Sequence, residues 1–375
     1  MRFFVPTDIY VEKDCVKNHA KNLLSVGTRA LIMTGRHSAI ANGSLNDVTE
    51  VLKAGEVPYQ IFSEVEENPS TDTIGKAAQI ARDFNADCII GIGGGSAIDA
   101  AKATALLLVN PGLNADELHK APSHPLNHAP VVAVPTTCGT GSEATPVAII
   151  TNHKIHLKKS IPHVIFPALA LVDGKYLATA KKQLIVNTAV DALAHMVESI
   201  LNVKSNLFNR MCPEYGLKLW GECKDALLGD GECENGDMNC DATLYEKLML
   251  TSTIAGMAIA QTSTAVPHGM SYDLTLNVGV PHGPAVGYFL AAYVEVCAKF
   301  VPQDVEKILA LLGLKNIEEF REIIRKLIGT CTVSREMRDQ FAAAMKVNHS
   351  KLDLVPGKIT PADIDYIYEK SLVVG

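Results

Sequence analysis

The chain is 375 residues long, more than one hydrophobic core usually serves, so two domains are expected. Hydrophobic residues make up 47% and charged residues 20%, which describes a globular protein rather than a disordered or fibrous one. A net charge of −7 without a long basic run argues against nucleic-acid binding, and no apolar stretch reaches the roughly 20 residues that span a bilayer. The opening MRFFVPTDIYVEKD has neither a basic n-region nor a long apolar h-region, so no signal peptide is expected. Nine cysteines at irregular spacing read as reduced thiols of a cytoplasmic protein. Cys223, Cys233 and Cys240 contain no C-x-x-C pair, and residues 229–242 (GDGECENGDMNCDA) read as a polar connection between helices.

In chain order, the apolar run Ala30–Thr34 predicts a strand and a helix follows from about Ser44. Tyr59–Phe62, a helix from about Ser70, and the short apolar run Cys88–Ile92 continue the alternation. Ser96–Val109 reads as a helix with Ser96 as its N-cap, Val131–Val134 as another buried strand, and Ala168–Asp173 as a last one. This βαβ rhythm implies a mostly parallel sheet. From about Lys181 strand signals give way to long helical periodicities, so the expected boundary lies near residue 180, with an α/β domain over 1–180 and an all-α domain over 181–375.

Two loops in the first half carry binding chemistry. Gly91-Ile-Gly-Gly-Gly-Ser-Ala-Ile-Asp99 joins a strand to a helix N-terminus. Glycines let backbone N–H groups approach a phosphate, and the helix dipole favours an anion there. The loop is neither a Walker A sequence nor G-x-G-x-x-G; its plain alternative is a tight turn in which Ser96 and Asp99 form a capping box. Pro135-Thr-Thr-Cys-Gly-Thr-Gly-Ser-Glu143 follows the next strand, and its hydroxyls and glycine N–H groups suit a second wall of a dinucleotide crevice.

The second half carries a metal-ligand pattern. Residues 183–201 (QLIVNTAVDALAHMVESIL) form one predicted helix that is apolar almost all round, and Asp191 and His195 lie four apart on one face. Such a pair is either a salt bridge or two ligands of one cation. His268 and His282, with thirteen residues between them, occur in two Pro-His-Gly segments that look like helix entries or loops. One carboxylate and three imidazoles suit Fe(II) or Zn(II) better than Ca or Mg.

These motifs, with Phe3-Phe-Val-Pro-Thr-Asp8, Glu67-Asn-Pro-Ser70, DALAHMVES and PHGMSYDL…PHG, resemble the iron-dependent (group III) alcohol dehydrogenase family from Phe3 to about Leu290. The resemblance implies an N-terminal α/β nucleotide-binding domain and an all-helical C-terminal domain, the dehydroquinate-synthase-like architecture. It implies hydride transfer between a nicotinamide dinucleotide and a small alcohol or aldehyde, in a homodimer. It places Gly94, Gly95 and Ser96 on the pyrophosphate and Asp99 by the nicotinamide ribose, with Asn68, Thr136, Thr137 and Thr140 along the cofactor and Lys159 reaching the same site. Lys154 and Lys158 compete with Lys159 for that role. Tyr272 stands where many members have a second, proton-relaying histidine, four residues after the first C-terminal ligand.

At the end of the second predicted strand the chain reads Gly35-Arg36-His37-Ser38, with no carboxylate to repel a 2′-phosphate. Arg36 and Ser38 there favour NADP(H) over NAD(H); the alternative is a surface turn with Arg36 in solvent. A dehydroquinate-synthase-type lyase, a glycerol-dehydrogenase-like enzyme and a non-catalytic nucleotide-binding member are the other readings.

Overall fold

A computed structural model describes residues 1–229 and 242–375. Cys233, Cys240 and most of the polar stretch 229–242 lie outside the described residues. Six parallel strands form the main sheet: β1 (Asp8–Val11), β2 (Ala30–Thr34), β3 (Tyr59–Phe62), β4 (Cys88–Gly93), β5 (Val131–Pro135) and, after a β6–β7 hairpin (Ile149–Asn152, Leu157–Ser160), β8 (Leu169–Val172). The order across the sheet is β1-β8-β5-β4-β2-β3. The middle strands are continuous apolar runs because both faces are covered. Leu31, Met33, Ile89 and Val131 face α2 (Thr71–Asp83) and α3 (Gly95–Val109), whereas Ile32, Ile90, Val132 and Leu171 face residues 15–24 and α1 (Ser44–Ala54). Alternation along each strand sorts the two sets.

This order places a topological switch point between β2 and β4: the chain leaves β2 towards β3, then crosses back to β4 on the other side. Crevices beyond the carboxyl ends of strands at such a point are where ligands bind in open α/β sheets. Thr34 pairs with Ile92, so residues 35–38 and 94–96 leave the sheet from neighbouring strands at the same end.

The helices that follow are α4 (Lys182–Ile200), α5 (Met211–Leu228), α6 (Ala242–Thr262), α7 (Val266–Asp273), α8 (His282–Cys297), α9 (Pro302–Leu311), α10 (Ile317–Ile328), α11 (Arg335–Met345) and α12 (Pro361–Ser371). A π-helical turn, Leu274–Val278, continues α7. Helix α8 is the axis of this part, packing against α4, α7, α10 and α12. Its Phe289 and Tyr293 are fully buried, each such side chain contributing about 1.5–3 kcal/mol. The Tyr293 hydroxyl donates to Leu201 O at 2.9 Å, which satisfies the one polar atom of that side chain. The helical part is not purely helical, because β9 (Cys331–Val333) and β10 (Leu372–Val374) pair in parallel.

Two compact units result. Val5–Ala180 and α6 as far as Gly256 form one; Met1–Phe4, the described residues from Lys181 to 229, and Met257–Gly375 form the other. A single cut at residue 180 differs from this at both added stretches. Gly141, at φ +58°, lies so close to α6 that a Cβ there would stand 2.4 Å from Ser252 O. At the chain start, Phe4 N–H donates to Gln261 Oε1 at 2.9 Å.

Candidate functional site

In the α/β unit, α3 starts at Gly95 with Gly94 as its N-cap, not at Ser96 as the sequence suggests. The Ser96–Asp99 capping box does not form. Ser96 Oγ instead accepts from Asn68 N–H at 3.2 Å, and Asn68 takes a left-handed φ of 59° to present it. Asp99 turns inward: Oδ1 accepts from Ser142 Oγ at 2.5 Å and Oδ2 from Ile149 N–H at 2.8 Å. The first turn of α3 therefore has no side-chain cap, and its leading N–H groups are open to an anion.

The glycine loop packs directly on the threonine loop. A Cβ on Gly94 would lie 3.0 Å from Thr137 Oγ1, and one on Gly95 would lie 2.6 Å from Thr140 Cγ2. Gly94 and Gly95 are thus needed for this approach whatever else the loop binds. Thr136 is buried while Thr137 and Thr140 are half-buried. Gly35 is half-buried, and Arg36 and Ser38 are exposed where β2 ends. Lys159 is exposed on β7 opposite Ile150; Lys158 is buried, and Lys154 pairs with Asp116 at 2.5 Å.

Beneath these loops lies a buried charge cluster that sequence reading passed over. Lys102 is fully buried and donates to Ser142 Oγ at 2.8 Å, Thr145 O at 2.9 Å and Val147 O at 2.7 Å. Burial lowers its amine to about 8, opposed by the negative charges of Asp99 and Glu143. Glu143 accepts from Thr253 Oγ1 at 2.7 Å, and burial raises its carboxyl.

In the helical unit, the four predicted ligands come together. His268 is the third residue of α7 and His282 the first of α8, so both sit at helix entries. The Nε2 atoms of His268, His282 and His195 lie 3.4, 3.6 and 3.7 Å from one atom, Asp191 Oδ1. Asp191, His195 and His268 are each at most 4% exposed. The rings of His195 and His268 stack at 4.6 Å, and those of His268 and His282 meet at 66°.

These separations exceed ordinary hydrogen bonds of about 2.7–3.2 Å. Asp191 Oδ1 and His268 Nε2 are buried and make no hydrogen bond. A tetrahedral ion with bonds of about 2.1 Å spaces its ligand atoms roughly 3.4 Å apart, so this donor set fits a metal. Asp191, His268 and His282 each offer a ligand atom within 4.8 Å of the other two, with His195 stacked beside His268.

Burial alone would raise the Asp191 carboxyl, but His195, His282 and His268 hold it well below the usual range. Burial works against a charged His268, yet Glu198 and Asp191 raise it to about 9. Burial pushes the Tyr272 phenol to about 12, with Glu198 and Asp191 adding to the rise. Glu198 is fully buried against α7 and was missed in the sequence. The available signal was its position, seven after Asp191, which puts it on the same face of an apolar helix.

Comparison with known proteins agrees with both halves. Residues 6–174 match a family profile described as iron-containing alcohol dehydrogenase, and residues 185–353 match the C-terminal profile of the Fe-containing alcohol dehydrogenase family. An NADPH-dependent butanol dehydrogenase of Clostridium saccharobutylicum is 29% identical over 88% of this chain and 82% of its own. The bifunctional aldehyde-alcohol dehydrogenase of Escherichia coli is 31% identical over 75% of this chain, and the match spans only 32% of that longer protein. The crystal structure of an iron-containing alcohol dehydrogenase from Thermotoga maritima superposes with a TM-score of 0.88 at 33% identity, covering 99% of each chain.

Proposed function

We propose that this chain, which belongs to the iron-containing alcohol dehydrogenase family, transfers a hydride between NADP(H) and a small alcohol or aldehyde. The observation that carries the reading is the convergence of three imidazole Nε2 atoms on the buried Asp191 Oδ1. Asp191, His195, His268 and His282 would hold Fe(II) or Zn(II). When bound, the ion supplies Lewis acidity that polarises a substrate oxygen.

The chain's own groups do the rest. Asp191 stays anionic and offsets the charge of a dication, while the imidazoles offer nitrogen lone pairs, His268 once it has released a proton. Tyr272 lies one helical turn after His268, on the same face of α7, and keeps its phenolic proton at neutral pH. It serves as a hydrogen-bond donor to the substrate oxygen, a role that differs from an imidazole proton relay. In the α/β part, assigned here to 1–180, the uncapped N–H groups at Gly95 and Ser96 receive the pyrophosphate of the dinucleotide. Thr136, Thr137 and Thr140 line it, with Asn68 holding the loop through Ser96 and Asp99 holding the threonine loop through Ser142. Lys159 is assigned to the same site. Gly35, Arg36 and Ser38 take the 2′-phosphate, and the NADPH-dependent relative supports that preference. The metal lies in the helical part, assigned to 181–375. The protein is assigned to the cytoplasm as a homodimer; no helix of the described residues is long and apolar enough to cross a membrane.

The test is reduction of a short aldehyde such as butanal, followed by NADPH or NADH absorbance. The protein is stripped of metal and reloaded anaerobically with Fe(II) or Zn(II). Metal-dependent oxidation that prefers NADPH is expected. Failure to oxidise either cofactor with either metal across a panel of small aldehydes would overturn the reading.

A further inference from the structure

Helix α7 begins without a side-chain cap of its own, at Ala265. Its leading N–H groups are buried and need acceptors. Glu198, reaching from α4, supplies one: Oε1 accepts from Ala265 N–H at 3.0 Å and from His268 N–H at 3.2 Å. The other oxygen, Oε2, meets His268 Nδ1. Both oxygens of one fully buried carboxylate are thus spent on the entry of the helix that carries His268.

The contact at Nδ1 has a chemical consequence. A carboxylate is an acceptor only, so Nδ1 keeps its proton, and Nε2 is the nitrogen that gives one up and offers its lone pair when an ion binds. That Nε2 faces Asp191 Oδ1 at 3.4 Å. We propose that Glu198 is a positioning residue: it locks His268 in the Nδ1–H tautomer and so presents Nε2 as a metal ligand. This rests on the metal-centre reading given above.

An amide in the same place separates this role from capping. In Glu198→Gln the amide oxygen still accepts from the backbone of α7, but the NH2 group now faces Nδ1. Nδ1 must then accept and the neutral ring's proton belongs on Nε2, so an ion bound at Nε2 would set Nδ1–H against the amide NH2. The start of α7 stays tethered, because Lys351 Nζ also donates to Thr264 O at 2.9 Å and Thr264 Oγ1 at 2.7 Å. Glu198→Ala, by contrast, strips the acceptor from two buried N–H groups.

Co(II) titration against a competing chelator, on the full chain, tests this. Loss of a histidine's outer hydrogen-bond partner costs about 10–100-fold in metal affinity. Glu198→Gln is expected to lose affinity by that factor and to shift the cobalt absorption bands, while its metal-free melting temperature stays near wild type. Glu198→Ala is expected to lose both. Equal Co(II) affinity in wild type and Glu198→Gln would reduce Glu198 to a helix cap and overturn the proposal. Absence of Co(II) binding by the wild type would instead overturn the metal centre itself, and the proposal with it. Should Glu198→Gln not fold, long-range proton–nitrogen spectra of the metal-free, histidine-labelled wild type decide, taken at a pH alkaline enough to leave His268 with a single ring proton. That proton on His268 Nδ1 supports the tautomer, and that proton on Nε2 sinks it.

Discussion

Lys102 Nζ lies 3.9 Å from Asp99 Oδ1, one turn earlier on α3, and the lysine is wholly buried beneath the glycine and threonine loops. The two charges share Ser142, whose hydroxyl accepts from the lysine and donates to the aspartate. Removing one partner of a buried pair leaves the other uncompensated, which costs about 3–5 kcal/mol. Lys102→Met is therefore expected to lower the unfolding free energy in urea by about 3 kcal/mol or more. Adding Asp99→Asn should recover part of that loss, because the two sites are coupled. Strict additivity of the two changes would show that the pair is not a unit.

On the metal-centre reading, His268→Ala removes a ligand atom outright. Activity should fall by more than about 100-fold, beyond the 10–100-fold typical of losing an outer partner. NADPH binding, read by fluorescence titration, should stay within a few-fold of wild type, since the glycine and threonine loops belong to the other compact unit. Loss of NADPH binding in this variant would count against the division of labour between the two units.

Gly95→Ala brings a Cβ within 2.6 Å of Thr140 Cγ2. Such overpacking typically costs about 1–3 kcal/mol, and here the threonine loop must yield. NADPH affinity is expected to drop by about tenfold. Thr140→Ala in the same chain should restore much of it by giving the new methyl room. No rescue would mean that Gly95 is required by the cofactor and not by its neighbour.

Arg36 is exposed at the end of β2. A hydrogen bond to a charged group contributes about 1.5–3 kcal/mol, roughly a 10–100-fold effect. Arg36→Gln should raise the KM for NADPH by that factor and leave the KM for NADH nearly unchanged. Equal effects on both cofactors would remove the 2′-phosphate from the argument.

Glu66 anchors the loop that carries Asn68. Its Oε1 accepts from Ser70 N–H at 2.8 Å and from Thr73 Oγ1 at 2.8 Å. Burial raises its carboxyl, but these donors outweigh that and leave it below the ordinary glutamate value. A depressed carboxyl contributes stability that is present above its unfolded pKa and lost as pH falls through the folded one. Urea midpoints should therefore decline below about pH 4.5, and Glu66→Gln should show a shallower decline over the same window. Parallel pH curves for the two proteins would contradict this.

The clustering of Asp191 with His195 was legible because the two are polar residues four apart in the most apolar stretch of their helix. The glycine loop was legible as a strand-to-helix junction, but the packing of Gly94 on Thr137 and of Gly95 on Thr140 was not, because no spacing rule links the two loops. Ser96 misled because its cap-like position is real, but its hydroxyl is taken by Asn68 from a distant loop. Glu198 escaped notice because one acid near a helix end reads as a solvated group until α7 is packed on it. Lys102 escaped for the same reason: its acceptors are mostly backbone carbonyls and hydroxyls of residues 142–147, which no spacing rule connects to α3. The attachment of α6 to the α/β unit rests partly on a backbone approach of Gly141 to Ser252, and such contacts leave no side-chain pattern.

The π turn at Leu274–Val278, closed where Gly279 N–H returns to Leu274 O, has a bearing on how relatives of this chain should be sought. A π turn holds one more residue than an α turn over the same rise. The stretch between His268 and His282 therefore takes up one residue more than an unbroken α-helical path of the same rise would. A search demanding thirteen intervening residues would pass over a chain that had shed one here and wound the segment as ordinary α-helix. The three-dimensional spacing of the nitrogens, not the count of letters between histidines, is the quantity to compare.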